Sequence, residues 1–196
     1  NMKHTDLTIF TSNENKLKEF RRILPNLKNS KGQDLKEVDG TSMDVIIHKS
    51  KDSGPMTIVD DTILEIDGRE IVSIRWDLET LEYLKGKSVK WITNIGVNDG
   101  EKIFVYKGVS QGIVSSFKGG QGFAFDPYII PIELHSRFED VELPLKNFTF
   151  AQLEEKGLKD LFSARTRALL NLKNNISYYD IPISHITEWT GSYQNN

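Results

Sequence analysis

"LTIFTSNENKLKEFRRILP", residues 7 to 25, is the stretch that decides the fold class. Leu7 to Phe10 is a short apolar run that reads as a strand, and Thr11 to Asn15 is a polar turn. Leu17, Phe20, Ile23 and Leu24 then recur at helical spacing until Pro25 stops the pattern. Strand, turn and helix in that order open a mixed α/β chain. The turn also raises a chemical question. Helix starts favour negative charge, yet Lys16 sits just inside this one. The backbone N–H groups of such a start bind anions, phosphate among them, and a lysine adds a point charge. The stretch reads alternatively as a Ser12 or Asn13 cap beside a solvated lysine.

Working outward, Leu35 to Val38 reads as a short strand and Ser42 to Lys51 as a helix that Gly54-Pro55 ends. Met56 to Val59 is an apolar strand running into Asp60-Asp61. Asp67-Gly68, between Leu64 to Ile66 and Ile71 to Ile74, is a hairpin signal. Asp77 to Leu84 reads as a helix, Val89 to Val97 and Lys102 to Lys107 as strands, with Gln111 to Ser116 continuing the sheet. Thr149-x-x-Gln152 is a capping box, Gly157 interrupts its helix, and a longer helix is predicted from about Leu161 to Lys173. The expectation is one long mixed sheet with helices on its faces, residues 2–176 as a single domain and 177–196 as a C-terminal extension. Asn1 ahead of Met2 reads as a cloning remnant.

Composition narrows the chemistry. There are 196 residues, 38% hydrophobic and 27% charged, with a net charge of −3, so no basic field calls for nucleic acid. No cysteine is present, which excludes a thiol nucleophile and zinc-thiolate sites and fits a reducing compartment such as the cytoplasm. No apolar run approaches the ~18 residues of a membrane span, so no membrane partner is expected. Neither a Walker lysine loop nor a Gly-x-Gly-x-x-Gly fingerprint occurs, so any nucleotide site must be built another way.

Four further stretches carry chemical residue types. In "IVDDTILEIDG", residues 58–68, two adjacent carboxylates suit Mg²⁺, which takes hard oxygen ligands. Strand alternation aims Asp60 and Asp61 to opposite faces, so one can bind metal while the other packs elsewhere. Glu37 in "LKEVDG" matters only if the fold brings it near Asp61. In "GGQGFAFDPYIIP", residues 119–131, Phe123 and Phe125 offer ring faces for a base, and Asp126 is held extended before Pro127. In "LEEKGLKDLFSARTRALL", Lys156, Lys159, Arg165 and Arg167 supply cations near a helix start, and Ser163 is a candidate cap. Taken singly, each stretch reads also as a solvated turn, a pair of core phenylalanines or a basic amphipathic helix.

Their order and spacing resemble the inosine triphosphate pyrophosphatase (Ham1-like) family, enzymes that remove non-standard purine nucleoside triphosphates. The resemblance spans roughly Leu7 to Asn174. "FTSNENKLKEF" is similar to the family's Thr-Gly-Asn-x-x-Lys-x-x-Glu turn, which implies that Thr11, Ser12, Asn13 and Lys16 handle phosphates. Glu37 matches the family's metal-binding glutamate, and "VDDT" resembles Val-Glu-Asp-Thr, so Asp61 falls on the catalytic aspartate and Asp60 replaces a glutamate. "GFAFDP" resembles Gly-Phe-Gly-Trp/Tyr-Asp-Pro, which places Phe123, Phe125 and Asp126 at the base. The Lys…Ser-His-Arg pattern assigns Lys156, Ser163 and Arg165 there too, with Ala164 where the family has histidine and a longer spacing from Lys156 to Ser163. Gln152 stands for a glutamate, and the Pro-Gly after the hairpin is absent.

The resemblance implies two lobes around a central nucleotide cleft, a homodimer, and Mg²⁺ (or Mn²⁺) on Glu37 and Asp61. The implied reaction converts a triphosphate to a monophosphate and pyrophosphate, with Asp61 or Asp60 orienting or deprotonating water and Lys16 holding phosphates. Altered base preference at Ala164, or nucleotide binding without turnover, are the alternatives.

Overall fold

The computed structural model describes residues 6–30, 35–71, 83–120, 125–135 and 145–194. Its hydrogen-bonded strands form a mixed, eight-stranded sheet in the order β2-β1-β3-β5-β6-β7, with β4 on β3 and β8 on β6. The strands are β1 (Thr8–Ile9), β2 (Lys28–Asn29), β3 (Thr57–Ile66), β4 (Arg69–Ile71), β5 (Ser88–Asn98), β6 (Lys102–Val114), β7 (Ile129–Pro131) and β8 (Tyr179–Pro182). The α-helices that lie wholly within the described residues are α1 (Glu14–Ile23), α2 (Ser42–Ser53), α3 (Phe150–Glu155) and α4 (Ala164–Lys173). Among the described residues, no helix is long and apolar enough to cross a membrane.

The chain divides into two compact units, and β3, β5 and β6 each contribute segments to both. The first unit comprises residues 1–62, 93–108 and 165–196. Here β1 runs parallel to both β2 and β3. Phe20 of α1, Leu24 that caps it, and Ala168, Leu169 and Leu172 of α4 bury one sheet face with Leu7, Ile9, Ile58, Ile95 and Val97. On the opposite face, Ile46 of α2 packs with Val59, Ile103 and Val105, and the tail adds Ile181, Ile183 and Ile186. Apolar residues on both strand faces follow from helices covering both sides.

The second unit comprises residues 63–92 and 109–164. The β3–β4 hairpin pairs Leu64 with Ile71 and Ile66 with Arg69. Its turn puts both Asp67 (φ 52°) and Gly68 (φ 77°) in the left-handed region, the geometry that an Asp-Gly turn predicts. Phe125, Phe150, Ile129, Val114, Leu64 and Leu84 form its main core. A second cluster places Leu153 of α3 against Ile130 and Leu134. Gly120, at φ 96°, lies so close to α3 that a Cβ would sit 2.7 Å from the Ala151 carbonyl, so glycine is required there by packing.

Four expectations change. Asp126, expected extended before Pro127, opens a 3₁₀ turn over Asp126–Tyr128 instead. Asp60 and Asp61 lie inside β3 rather than at its end, because the β-branched Thr62 and Ile63 carry the strand on to Ile66. Leu35 to Val38 forms no strand, and only Val38 makes a bridge, to Tyr193. The long helix starts at Ala164, preceded by a 3₁₀ turn over Lys159–Leu161. Ile74, Phe123 and all but Tyr83 and Leu84 of the helix expected over Asp77 to Leu84 lie outside the described residues.

Candidate active site

The β1–α1 turn is tied together by its own side chains. Asn13 caps α1, its Oδ1 accepting from the Lys16 amide at 3.1 Å, and Thr11 Oγ1 accepts from the Asn13 amide at 3.0 Å. The Asn29 carboxamide on β2 clamps Thr11 from both sides, accepting from its N–H and donating to its carbonyl, each at 3.2 Å. Ser12 is exposed in the same turn. The plain cap reading is therefore correct about Asn13. Lys16, however, is not a solvated lysine, because its Nζ lies 3.1 Å from Asp60 Oδ1.

The adjacent aspartates face opposite ways. Asp60 points toward α1 and α4, where Lys16 and Arg165 Nη2 (3.4 Å) meet it. Arg165 is also held by Glu19 at 2.8 Å and lies over the Phe20 ring. Burial alone would raise the Asp60 carboxyl, but Lys16, Arg165 and Lys49 hold it well below the usual carboxylate range. The same contacts raise Arg165 against the effect of its own burial.

Asp61 points the other way, and the charges that act on it most are Lys49 and Glu37. Burial pushes its carboxyl up to about 7, with Glu37 and Asp60 adding and Lys49 and Lys16 opposing. Its Oδ2 is buried with no hydrogen-bond partner. Lys49 of α2 lies 3.3 Å from Glu37 Oε1 and donates to the Asp60 carbonyl at 3.0 Å. Burial works against the Lys49 charge, but Asp60, Glu37 and Asp61 more than offset it and raise its pKa. A cavity of about 380 Å³ opens here, lined by Thr11, Lys16, Leu35, Glu37, Lys49 and Asp60.

The register of β3 on β5 brings in one more polar group. The Thr62 and Thr93 hydroxyls meet at 3.4 Å on one face. On the other face, Val59 packs with Ile46, and Gly96 abuts Ile46 and Ser50. Alternation then puts Asn94 on the same face of the sheet as Asp61, the side toward α2. The Asn94 side chain is buried, and neither of its polar atoms has a hydrogen-bond partner.

A second polar cluster lies in the second unit. Lys159 Nζ meets Asp126 Oδ2 at 2.7 Å, with both residues almost fully buried. Trp91 packs edge-on against Phe125 and Phe150. Ser163 is buried, and its amide donates to the Lys159 carbonyl. Lys156, expected at this position from the sequence, is instead the exposed C-cap of α3. The helix ends there, and the following 3₁₀ turn carries Lys159 to the aspartate instead.

A sequence profile of the Ham1 family matches residues 7–175, which takes in both clusters. The chain belongs to the Ham1 family. Among its relatives, the dITP/XTP pyrophosphatase of Saccharolobus solfataricus is 27% identical, over 71% of this chain and 83% of that protein. The inosine triphosphate pyrophosphatase of Candida glabrata is 26% identical over 88% and 97%. The Ham1 protein of Staphylococcus aureus superposes with a TM-score of 0.64 at 23% identity, covering 87% of this chain and 97% of that one. This likeness confirms the mixed α/β fold.

Glu19, Lys49, Asn94 and Lys159 belong to these two polar clusters, and no motif in the sequence places them there. Lys49 did carry a signal. It lies three and four residues after Ile46 and Val45, on the apolar face of an amphipathic helix, where a lysine needs buried partners. Asn94 carried a weaker one, as a carboxamide inside a strand flanked by Ile92 and Ile95.

Proposed function

We propose that this chain hydrolyses a nucleoside triphosphate to a monophosphate and pyrophosphate, acting on non-standard purine nucleotides as its named relatives do. The observation that carries this reading is a cavity lined by Lys16, Lys49, Glu37 and Asp60, beside Asp61, whose carboxyl at about 7 feels the same two lysines and the same glutamate. Cations bind phosphate oxygens, and a carboxyl poised near neutrality exchanges protons with water.

The donor set fits a hard divalent cation. Asp61 keeps a buried carboxylate oxygen without a partner, and Glu37 is the second acid next to Lys49. No group of three or more potential ligands converges among the described residues. Two carboxylates, with waters and substrate phosphates completing the shell, is how Mg²⁺ is commonly held. When bound to Glu37 and Asp61, such an ion would neutralise charge developing on the phosphates.

The chain's own residues supply the remaining steps. The Thr11–Asn13 turn and Lys16 receive phosphate oxygens at the start of α1. Lys49 offers a second cation from α2. Asp61 accepts a proton from water as the water oxygen bonds to a phosphorus flanking the α–β bridge. The bridging P–O bond breaks, and pyrophosphate leaves. Asp60 is a poor proton acceptor because its cations hold it ionised, so its part is to fix Lys16 and Arg165. Asn94 offers a donor and an acceptor to the same water.

Phe125, Asp126, Lys159 and Ser163 are assigned to base recognition. Ala164 is apolar and buried where the family's histidine is expected, which favours a broader base preference. A panel of purine and pyrimidine triphosphates with Mg²⁺ and pyrophosphate detection tests both points. Turnover abolished by Asp61→Asn supports the reading, and no turnover of any triphosphate sinks it. A clear preference for inosine and xanthosine triphosphates would remove the argument from Ala164.

A further inference from the structure

The tail beyond the family match converges on the segment that carries Glu37. β8 pairs antiparallel with β6, setting Ile181 opposite Ile103 and Asp180 opposite Phe104. The chain then reaches Trp189, whose ring meets His48 of α2 edge-on at 5.4 Å. Trp189 leaves no room for a side chain at Gly40 or Gly191, where a Cβ would come within 2.9 Å of its ring. Its Nε1 donates to the Ser192 carbonyl at 2.8 Å and so shapes the turn beyond.

From that anchor the tail bonds residues 37 to 39. The Asp39 amide donates to the Ser192 carbonyl at 2.9 Å, and the Gln194 amide donates to the Glu37 carbonyl at 2.8 Å. Val38 and Tyr193 form an antiparallel bridge, and Gln194 Nε2 donates to the Val38 carbonyl at 3.2 Å. Among the described residues, the backbone hydrogen bonds made by 36 to 39 all run to the tail. A loop without a ladder of its own has its side-chain direction set by whatever bonds its backbone.

We propose that residues 188–194 are a positioning strap for Glu37, bonding its backbone so that the acid faces the cavity and thereby setting the site's affinity for a divalent cation. The proposal rests on the reading of Glu37 as a metal-holding acid. Glu37 is the positioned group, and Gln194 acts only through it. Outer partners of this kind typically alter metal affinity by about 10- to 100-fold.

The test uses Mn²⁺ alone, titrated by electron paramagnetic resonance, with hydrogen exchange at the Asp39 amide as a second readout. Gln194→Pro removes the N–H that bonds Glu37, at a residue that belongs to no buried core cluster. Gln194→Ala keeps that N–H. A chain ending at Thr187 removes the strap entirely. Gln194→Pro and the truncation are expected to weaken Mn²⁺ binding about tenfold and to speed Asp39 exchange. Gln194→Ala should stay within about twofold, and kcat should return to the wild-type value at saturating metal. Wild-type Mn²⁺ affinity in Gln194→Pro and the truncation overturns the proposal, even if both variants melt earlier. An equal loss in Gln194→Ala also overturns it. Glu37→Gln separates the two levels. If it weakens Mn²⁺ binding while Gln194→Pro does not, the strap alone fails. If Glu37→Gln binds Mn²⁺ as wild type does, the metal reading falls and takes the strap with it.

Discussion

Asp60→Asn and Asp61→Asn alter neighbouring residues of one strand, yet they should move stability in opposite directions at pH 8. Asp60 is buried between Lys16 and Arg165, and its folded pKa is depressed. A depressed carboxyl stabilises the fold above its unfolded pKa, and the contribution is lost as pH falls through the folded value. Removing one partner of a buried ion network typically costs about 3 to 5 kcal/mol. Asp61 has the reverse sign. Its carboxyl is carried from 3.8 to about 7, so ionising it in place costs the metal-free protein about 4 kcal/mol. A raised carboxyl favours the fold below 3.8, and that advantage is lost as pH rises through about 7. Asp61→Asn removes the charge but leaves a buried amide, for a net gain of about 1 to 3 kcal/mol at pH 8. The amide cost does not depend on pH, so at pH 4, where the Asp61 carboxyl is protonated in the fold, the gain should give way to a loss of about 1 to 2 kcal/mol. Urea unfolding in EDTA at the two pH values measures all of this. A cost under about 1 kcal/mol for Asp60→Asn, or a loss at pH 8 for Asp61→Asn, would refute the division of roles.

Lys49→Ala should raise KM for the triphosphate about tenfold, the loss of one charge-assisted phosphate contact. Pyrophosphate release at saturating Mg²⁺ reads that change. Because Lys49 opposes the upward shift of Asp61, its removal should also carry the stability lost on ionising Asp61 to higher pH, read by urea melts in EDTA. Lys159→Ala breaks the buried pair with Asp126 and should cost about 3 to 5 kcal/mol in urea melts. Lys156→Ala, at an exposed cap, should stay within about 0.5 kcal/mol in the same melts.

The elements that local chemistry dictates were legible in the sequence. Leu17, Phe20, Ile23 and Leu24 mark α1 by spacing, Asp67-Gly68 marks its hairpin, and Thr149 with Gln152 marks α3. What stayed hidden depends on distant partners. β2 is two exposed polar residues, Lys28 and Asn29, whose strand character comes only from parallel pairing with β1. β8 exists because β6 offers it an edge, and no periodicity in Tyr179–Pro182 announces that. The site followed the same rule. Lys16, Glu37 and Asp61 stood out by motif, whereas Lys49 and Asn94 enter through helix face and strand register. Lys159 left one mark, the longer-than-family spacing from Lys156 to Ser163, and the 3₁₀ turn that brings Lys159 to Asp126 accounts for it.

Phosphorus NMR of inosine triphosphate turned over with Mg²⁺ tests the central claim most directly. The arrangement of Lys16, Lys49 and Asp61 predicts inosine monophosphate and pyrophosphate in equal amounts, with neither formed by Asp61→Asn. Release of orthophosphate with a nucleoside diphosphate, or full turnover by Asp61→Asn, would contradict it.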